Sequence, residues 1–139
     1  MLRRRPPLPA ALDAAWRAFD ECVERIAGAR LRLLATLPAG RVEPGPVGRG
    51  LDAIERAVAD VRERMPRWRV PELEAEWGAC AAALDAADAA MPAARATAGD
   101  VGELDALLVA VDDVISPLTA FGEAERAWRG RWKAPLRPR

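Results

Sequence analysis

Apolar residues in the first third of the chain recur in steps of four and three, at Leu12, Trp16, Phe19, Val23, Ile26, Leu33 and Leu37. That spacing lays side chains along one stripe of an α-helix. Arg30 occupies the one slot where another apolar residue is due. Pro9 suits a first helical turn, where its missing N–H costs no bond, and Pro38 with Gly40 marks the end. The pattern predicts a helix over 9–37. A second stripe runs through Val47, Leu51, Ile54, Val58, Val61, Met65 and Trp68, with Gly45 and Pro46 as N-cap and N1 and Pro66 as the stop. Its opposite face sets Asp52, Arg56, Asp60 and Arg64 at successive i,i+4 spacings, which support an exposed helix by a few tenths of a kcal/mol per pair, roughly.

The third stripe is Leu73, Trp77, Cys80, Leu84, Ala87 and Met91. Pro71 opens it, and Glu72, Glu74 and Glu76 crowd the end where the helix dipole favours negative charge. Pro92 is expected to stop it, leaving 92–99 as a small-residue linker. The fourth begins at a capping-box-like Asp100 and Glu103 and carries Leu104, Leu107, Leu108, Val111, Val114, Ile115, Leu118, Phe121 and Trp128. Pro117 interrupts it, which predicts a kink or a break with Ser116 capping the new segment. No alternating run with hairpin punctuation competes as a strand.

Four amphipathic helices with short connections predict an all-α, antiparallel up-down-up-down four-helix bundle, its last helix kinked or broken at Pro117. Residues 1–8 read as a disordered basic lead-in, 9–129 as one domain and 130–139 as a basic, Pro-rich tail. This topology carries Trp16, Trp68, Trp77 and Trp128 to one end of the bundle, with Phe19 and Phe121 about one turn further in and both basic termini emerging there. If the core closes before Gly130, deleting 130–139 leaves the melting temperature nearly unchanged.

Composition narrows the chemistry. The 139 residues suit one domain, and 51% are hydrophobic, with Ala the largest contributor. There is no His, Tyr, Asn or Gln, one Ser and one Lys, and basic charge is nearly all Arg, the bias expected of a GC-rich, bacterial genome. Net charge is zero, so no global field steers nucleic acid. The distribution is uneven: residues 71–125 hold twelve acids against Arg95 alone, and 126–139 hold six bases and no acid. No run of about 18 apolar residues exists, and Pro6, Pro7, Pro9, Asp13 and Arg17 break any signal-peptide pattern. A cytoplasmic location is expected.

Without His the chain lacks the commonest general base and the Glu-x-x-His motif of bundle metal sites. Asp112 and Asp113 diverge by about 100° on a helix and do not converge on one metal. The expectation is a protein that is not an enzyme, with no cofactor and no metal. Cys22 and Cys80 fall at similar heights on diagonal helices and read as small buried packing residues rather than a disulfide. Arg30 either snorkels to the bundle edge or forms a buried ion pair with Asp112, Asp113 or Glu55.

The aromatic and basic end is the candidate binding surface: Trp16, Trp68, Trp77, Trp128, Arg129, Arg131 and Trp132. Trp132 draws most attention, since it lies beyond the expected core. Trp128-Arg129-Gly130 resembles the Trp-x-Gly tripeptide of small helical-hairpin secretion substrates. There it sits in the turn between two helices, whereas here it follows the last helix, and this chain has no Tyr for that family's tail motif, so the family is not assigned. The expected function is a protein–protein interaction or scaffold module with an unknown protein partner. The surface is the Trp/Arg end or the acidic face of helices 3 and 4. A ligand pocket among Trp16, Phe19, Trp77, Phe121 and Trp128 is one alternative. Contact of the tail with nucleic acid or lipid headgroups is another. A homo-oligomer is open, with Ala75, Ala79, Ala82, Ala86 and Ala90 as a close-packing face.

Overall fold

The computed structural model describes residues 9–37, 44–99 and 104–133. The lead-in at 1–8, the loop at 38–43, the capping-box residues at 100–103 and the end of the tail at 134–139 lie outside the described residues. The chain is all-α. Helix α1 spans Ala10–Ala35, α2 Pro44–Arg64, α3 Glu74–Ala98, α4 Leu104–Ile115 and α5 Thr119–Lys133. Two 3-10 turns, Met65–Trp68 and Pro71–Leu73, carry the chain from α2 into α3. Helices α4 and α5 together fill the fourth position of the bundle.

Interhelical contacts set the directions. Glu21 pairs with Arg64, Arg25 with Asp60, and Leu33 lies against Gly50, so α2 runs opposite to α1. Arg62 bridges Asp85 and Asp88 while Arg95 bridges Asp52 and Glu55, so α3 runs opposite to α2. Helix α3 packs on both α4 and α5, and α5 closes back on α1. Asp52, Asp60 and Arg64 therefore do not form a freely solvated face. They tie α2 to its neighbours on both sides, with Asp60 bound by Arg25 at 2.6 Å and by Arg64 at 3.3 Å.

The core of α1 is Leu12, Ala15, Phe19, Cys22, Ile26, Ala29 and Leu33. Its second column is Ala15, Cys22 and Ala29. Trp16, Val23, Arg30 and Leu37 are only half-buried, one position round the helix. The buried face thus pairs a column of large residues, Leu12, Phe19, Ile26 and Leu33, with a column of small ones that lets a neighbouring helix approach closely. Helix α3 repeats this, with Cys80, Ala87 and Ala94 fully buried and Trp77 at the edge.

The structure departs from expectation at Pro92 and breaks as expected at Pro117. Pro92 lies inside α3, which continues to Ala98. The ring is exposed, so the carbonyl it leaves unpaired one turn back faces water. The helix persists because Met91, Ala94 and Ala98 extend the buried stripe and Arg95 is held at 2.8 Å by Asp52 and 2.5 Å by Glu55. At the other proline the chain breaks at Ser116–Leu118 between α4 and α5. The Ser116 carbonyl, not its hydroxyl, organises the break: it accepts the Thr119 Oγ1 proton at 2.7 Å and the Thr119 N–H at 3.2 Å.

Candidate functional site

The helix order gathers the aromatic residues at one end. Trp16 stacks on Trp128 with ring centroids 5.5 Å apart and meets Phe19 edge-on at 5.6 Å. Phe19 in turn contacts Trp68 at 4.5 Å. Trp77 stands beside this group, donating its Nε1 proton to the Met65 carbonyl at 2.9 Å, with the Arg69 guanidinium 3.9 Å above its ring. Trp68, Phe19 and Phe121 are at most 1% exposed, and Trp128 is 3% exposed. These rings fill the space between the helices as core, and none of them lines a cavity described for this fold. The Trp68 indole N–H reaches no acceptor at hydrogen-bond geometry, its neighbour being the weakly accepting Cys22 thiol.

The basic residues of this end are engaged within the fold. Arg129 pairs with Glu125 at 2.8 Å and lies over the Trp16 ring. Arg131 forms an ion pair with Glu76, donates to the Glu72 carbonyl at 3.1 Å and lies over Trp128. Glu76 is 5% exposed, so its carboxylate is buried and depends on Arg131 for neutralisation. Sequence reasoning assigned Glu76 to the helix dipole. Its spacing from Leu73 and Cys80, however, is three and four, which places it on the stripe itself. Helix α5 runs past Gly130 to Lys133, so the expected start of the tail falls inside a helix that is pinned to α3. Trp128-Arg129-Gly130 is helical here, not a turn between helices. Trp132 belongs to α5, and its side chain lies outside the described residues.

The Arg30 set is not brought together. Glu55 is bound to Arg95, Asp112 and Asp113 are exposed, and no described carboxylate pairs with Arg30. Arg30 is half-buried with its Nε enclosed and unpaired. It belongs to the flanking column of Trp16, Val23 and Leu37, where a long stem can lie along apolar surface. Cys22 and Cys80 are free, and both are fully buried. Burial raises both thiols above their usual range, Cys80 to about 12 with help from the neighbouring Cys22 and Glu76.

The opposite end of the bundle differs. Leu31 and Leu34 lie one turn apart on α1 and are 67% and 41% exposed; Leu108 and Val109 on α4 are 40% and 63% exposed. Periodicity puts Leu108 on the fourth stripe, whereas Leu31, Leu34 and Val109 fall off the stripes. Asp105, Asp112 and Asp113 surround the α4 pair, all exposed. The fold is that of an all-α four-helix protein with a packed aromatic end and, towards the other end, four exposed apolar side chains. Among the described residues no helix is long and apolar enough to cross a membrane. Compared with known proteins, the chain matches no family model, no curated protein and no solved structure.

Proposed function

We propose that the chain is a non-catalytic protein–protein interaction module whose contact surface is the end of the bundle away from the tryptophans. One observation carries this reading: Leu31, Leu34, Leu108 and Val109, the exposed large apolar side chains of the described residues, all belong to that end. A single exposed leucine is ordinary, but two apolar pairs, one on α1 and one on α4, gain by being covered. The acidic rim on α4 adds a preference for a basic partner surface. The filled aromatic end counts against a ligand pocket there, and the engagement of Arg129 and Arg131 counts against a free cationic tail.

The test is photo-crosslinking in the native host, with a photoreactive residue placed at position 31, 109 or 126. Discrete adducts from 31 and 109, and none from 126, are expected. Adducts from 126 alone return the surface to the aromatic end, and no adducts from any position remove the interaction reading.

A further inference from the structure

A groove of about 440 Å³ runs between α1 and α2, and a second of about 250 Å³ continues it toward the start of α2. Arg32 and Arg56 line both, Arg25 lines the first and Arg49 the second. The spacing is regular. Arg25 and Arg32 are seven residues apart on α1, as are Arg49 and Arg56 on α2, so each pair shares a helix face with its members about 10 Å apart. Antiparallel packing brings the two faces together, with Arg32 flanked by Arg49 and Arg56. The floor is small, including Gly28 and Ala53, so the guanidiniums are not obstructed by bulky neighbours.

Arg17, Arg25, Arg62, Arg64, Arg69, Arg95, Arg129 and Arg131 each have a carboxylate partner. Arg32, Arg49 and Arg56 are exposed, and none pairs with a described residue. Arg30, Arg67 and Arg126 also lack a described carboxylate partner but line neither cavity, whereas three such arginines meet in this groove. The two acids of the lining, Glu24 and Asp60, sit at the Arg25 end, and Asp60 is already held by Arg25 and Arg64. The end lined by Arg32, Arg49 and Arg56 therefore concentrates positive charge in a chain of zero net charge, beside the positive pole of α2.

We infer that this groove binds a compact linear polyanion, its oxyanion groups bridged by Arg32, Arg49 and Arg56. Guanidinium forks match phosphate and carboxylate oxygens in bidentate fashion, and three of them arranged along a groove select two or more closely spaced anionic groups over a single one. Neither cavity has an aromatic lining residue, which favours an inorganic or aliphatic ligand over one that carries a base. The groove opens between α1 and α2 at the same end of the bundle as Leu31 and Leu34, with Arg32 next to Leu31 in the chain.

Calorimetric titration of the full chain at low salt tests this, with inorganic triphosphate in one arm and citrate in the other. At least one is expected to bind, and the tighter identifies phosphate or carboxylate as the source. The Arg32→Ala/Arg56→Ala variant is expected to weaken binding by about tenfold or more while keeping its melting temperature, since both side chains are exposed. Arg67→Ala/Arg126→Ala, which removes two exposed arginines outside the groove, leaves binding unchanged. Absence of binding by both anions at millimolar concentration overturns the inference, as does equal weakening in the two variants.

Discussion

Replacing Arg131 with Ala removes the partner of a carboxylate that is 5% exposed and deletes the bond to the Glu72 carbonyl. Breaking a fully buried pair costs about 3–5 kcal/mol, because the remaining charge is left desolvated. Arg131 itself is 48% exposed, so water screens the pair and can reach part of the vacated space. The discounted cost is about 1.5–3 kcal/mol. For a domain of this size that lowers the melting temperature by roughly 5–12 °C. Thermal unfolding followed by circular dichroism, on the full chain and each variant, measures it. Glu76→Gln, which removes the charge and leaves Arg131 half-exposed, is expected to cost less than Arg131→Ala. The double variant Glu76→Leu/Arg131→Met replaces the pair with apolar groups and is expected to recover most of the loss. A melting temperature within about 1 °C of the parent for Arg131→Ala refutes the reasoning. The pair would then be an ordinary screened surface bridge, and removal of the chain from Gly130 onward would be as neutral as the sequence suggests.

Two further predictions concern packing. At neutral pH Cys80 carries roughly a thousandfold less thiolate than an ordinary thiol near 9, so thiol reagents are expected to label the unfolded chain fast and the native chain barely. Both thiols are raised in the folded state, so their linkage leaves stability intact below about pH 9 and erodes it from there toward pH 12, as the unfolded chain ionises first; a denaturant midpoint flat across that window contradicts this. In α2, a Cβ at Gly50 would come within 2.8 Å of Leu33 Cδ1 and 3.0 Å of its Cα, whereas one at Gly78 in α3 meets open space. Gly50→Ala is expected to destabilise by about 1–3 kcal/mol through overpacking, and Gly78→Ala to stabilise by about 0.5–1 kcal/mol through helix propensity, both read from denaturant unfolding.

Periodicity made the helices legible, along with their order and the gathering of four tryptophans at one end. Every member of the α2 stripe from Val47 to Trp68 is buried. In α1 and α3 large residues are a biased guide to the buried face. In α1 they pointed to Trp16, Val23 and Arg30, while Ala15, Cys22 and Ala29 hold the column against the core. The misfit of Arg30 came from that rotation: it is a flanking residue, not a charge inserted into the core. Alanine carries so little hydrophobic signal that Ala94 and Ala98 read as linker, and Pro92 as a stop, where the buried stripe in fact goes on. The candidate site shifted for a related reason. Aromatic rings with nearby arginines look the same in sequence whether they pack or bind. The burial of the rings and the pairing of Arg131 with a buried Glu76, 55 positions away in the chain, distinguish them here. The exposed Leu31, Leu34 and Val109, and the groove arginines, depend on which residues the neighbouring helices leave uncovered, which no local pattern encodes.

On this reading the packed aromatic end is structural and the exposed apolar residues of α1 and α4 make contact. The most direct measurement is on the Leu31→Glu/Val109→Glu variant, scored for melting temperature and for crosslinked adducts from a photoreactive residue at position 108. The account predicts a melting temperature within about 2 °C of the parent, since both replaced side chains are more than 60% exposed, together with loss of the adducts. Adducts that persist undiminished, or a melting temperature that falls by 10 °C or more (roughly), would contradict it.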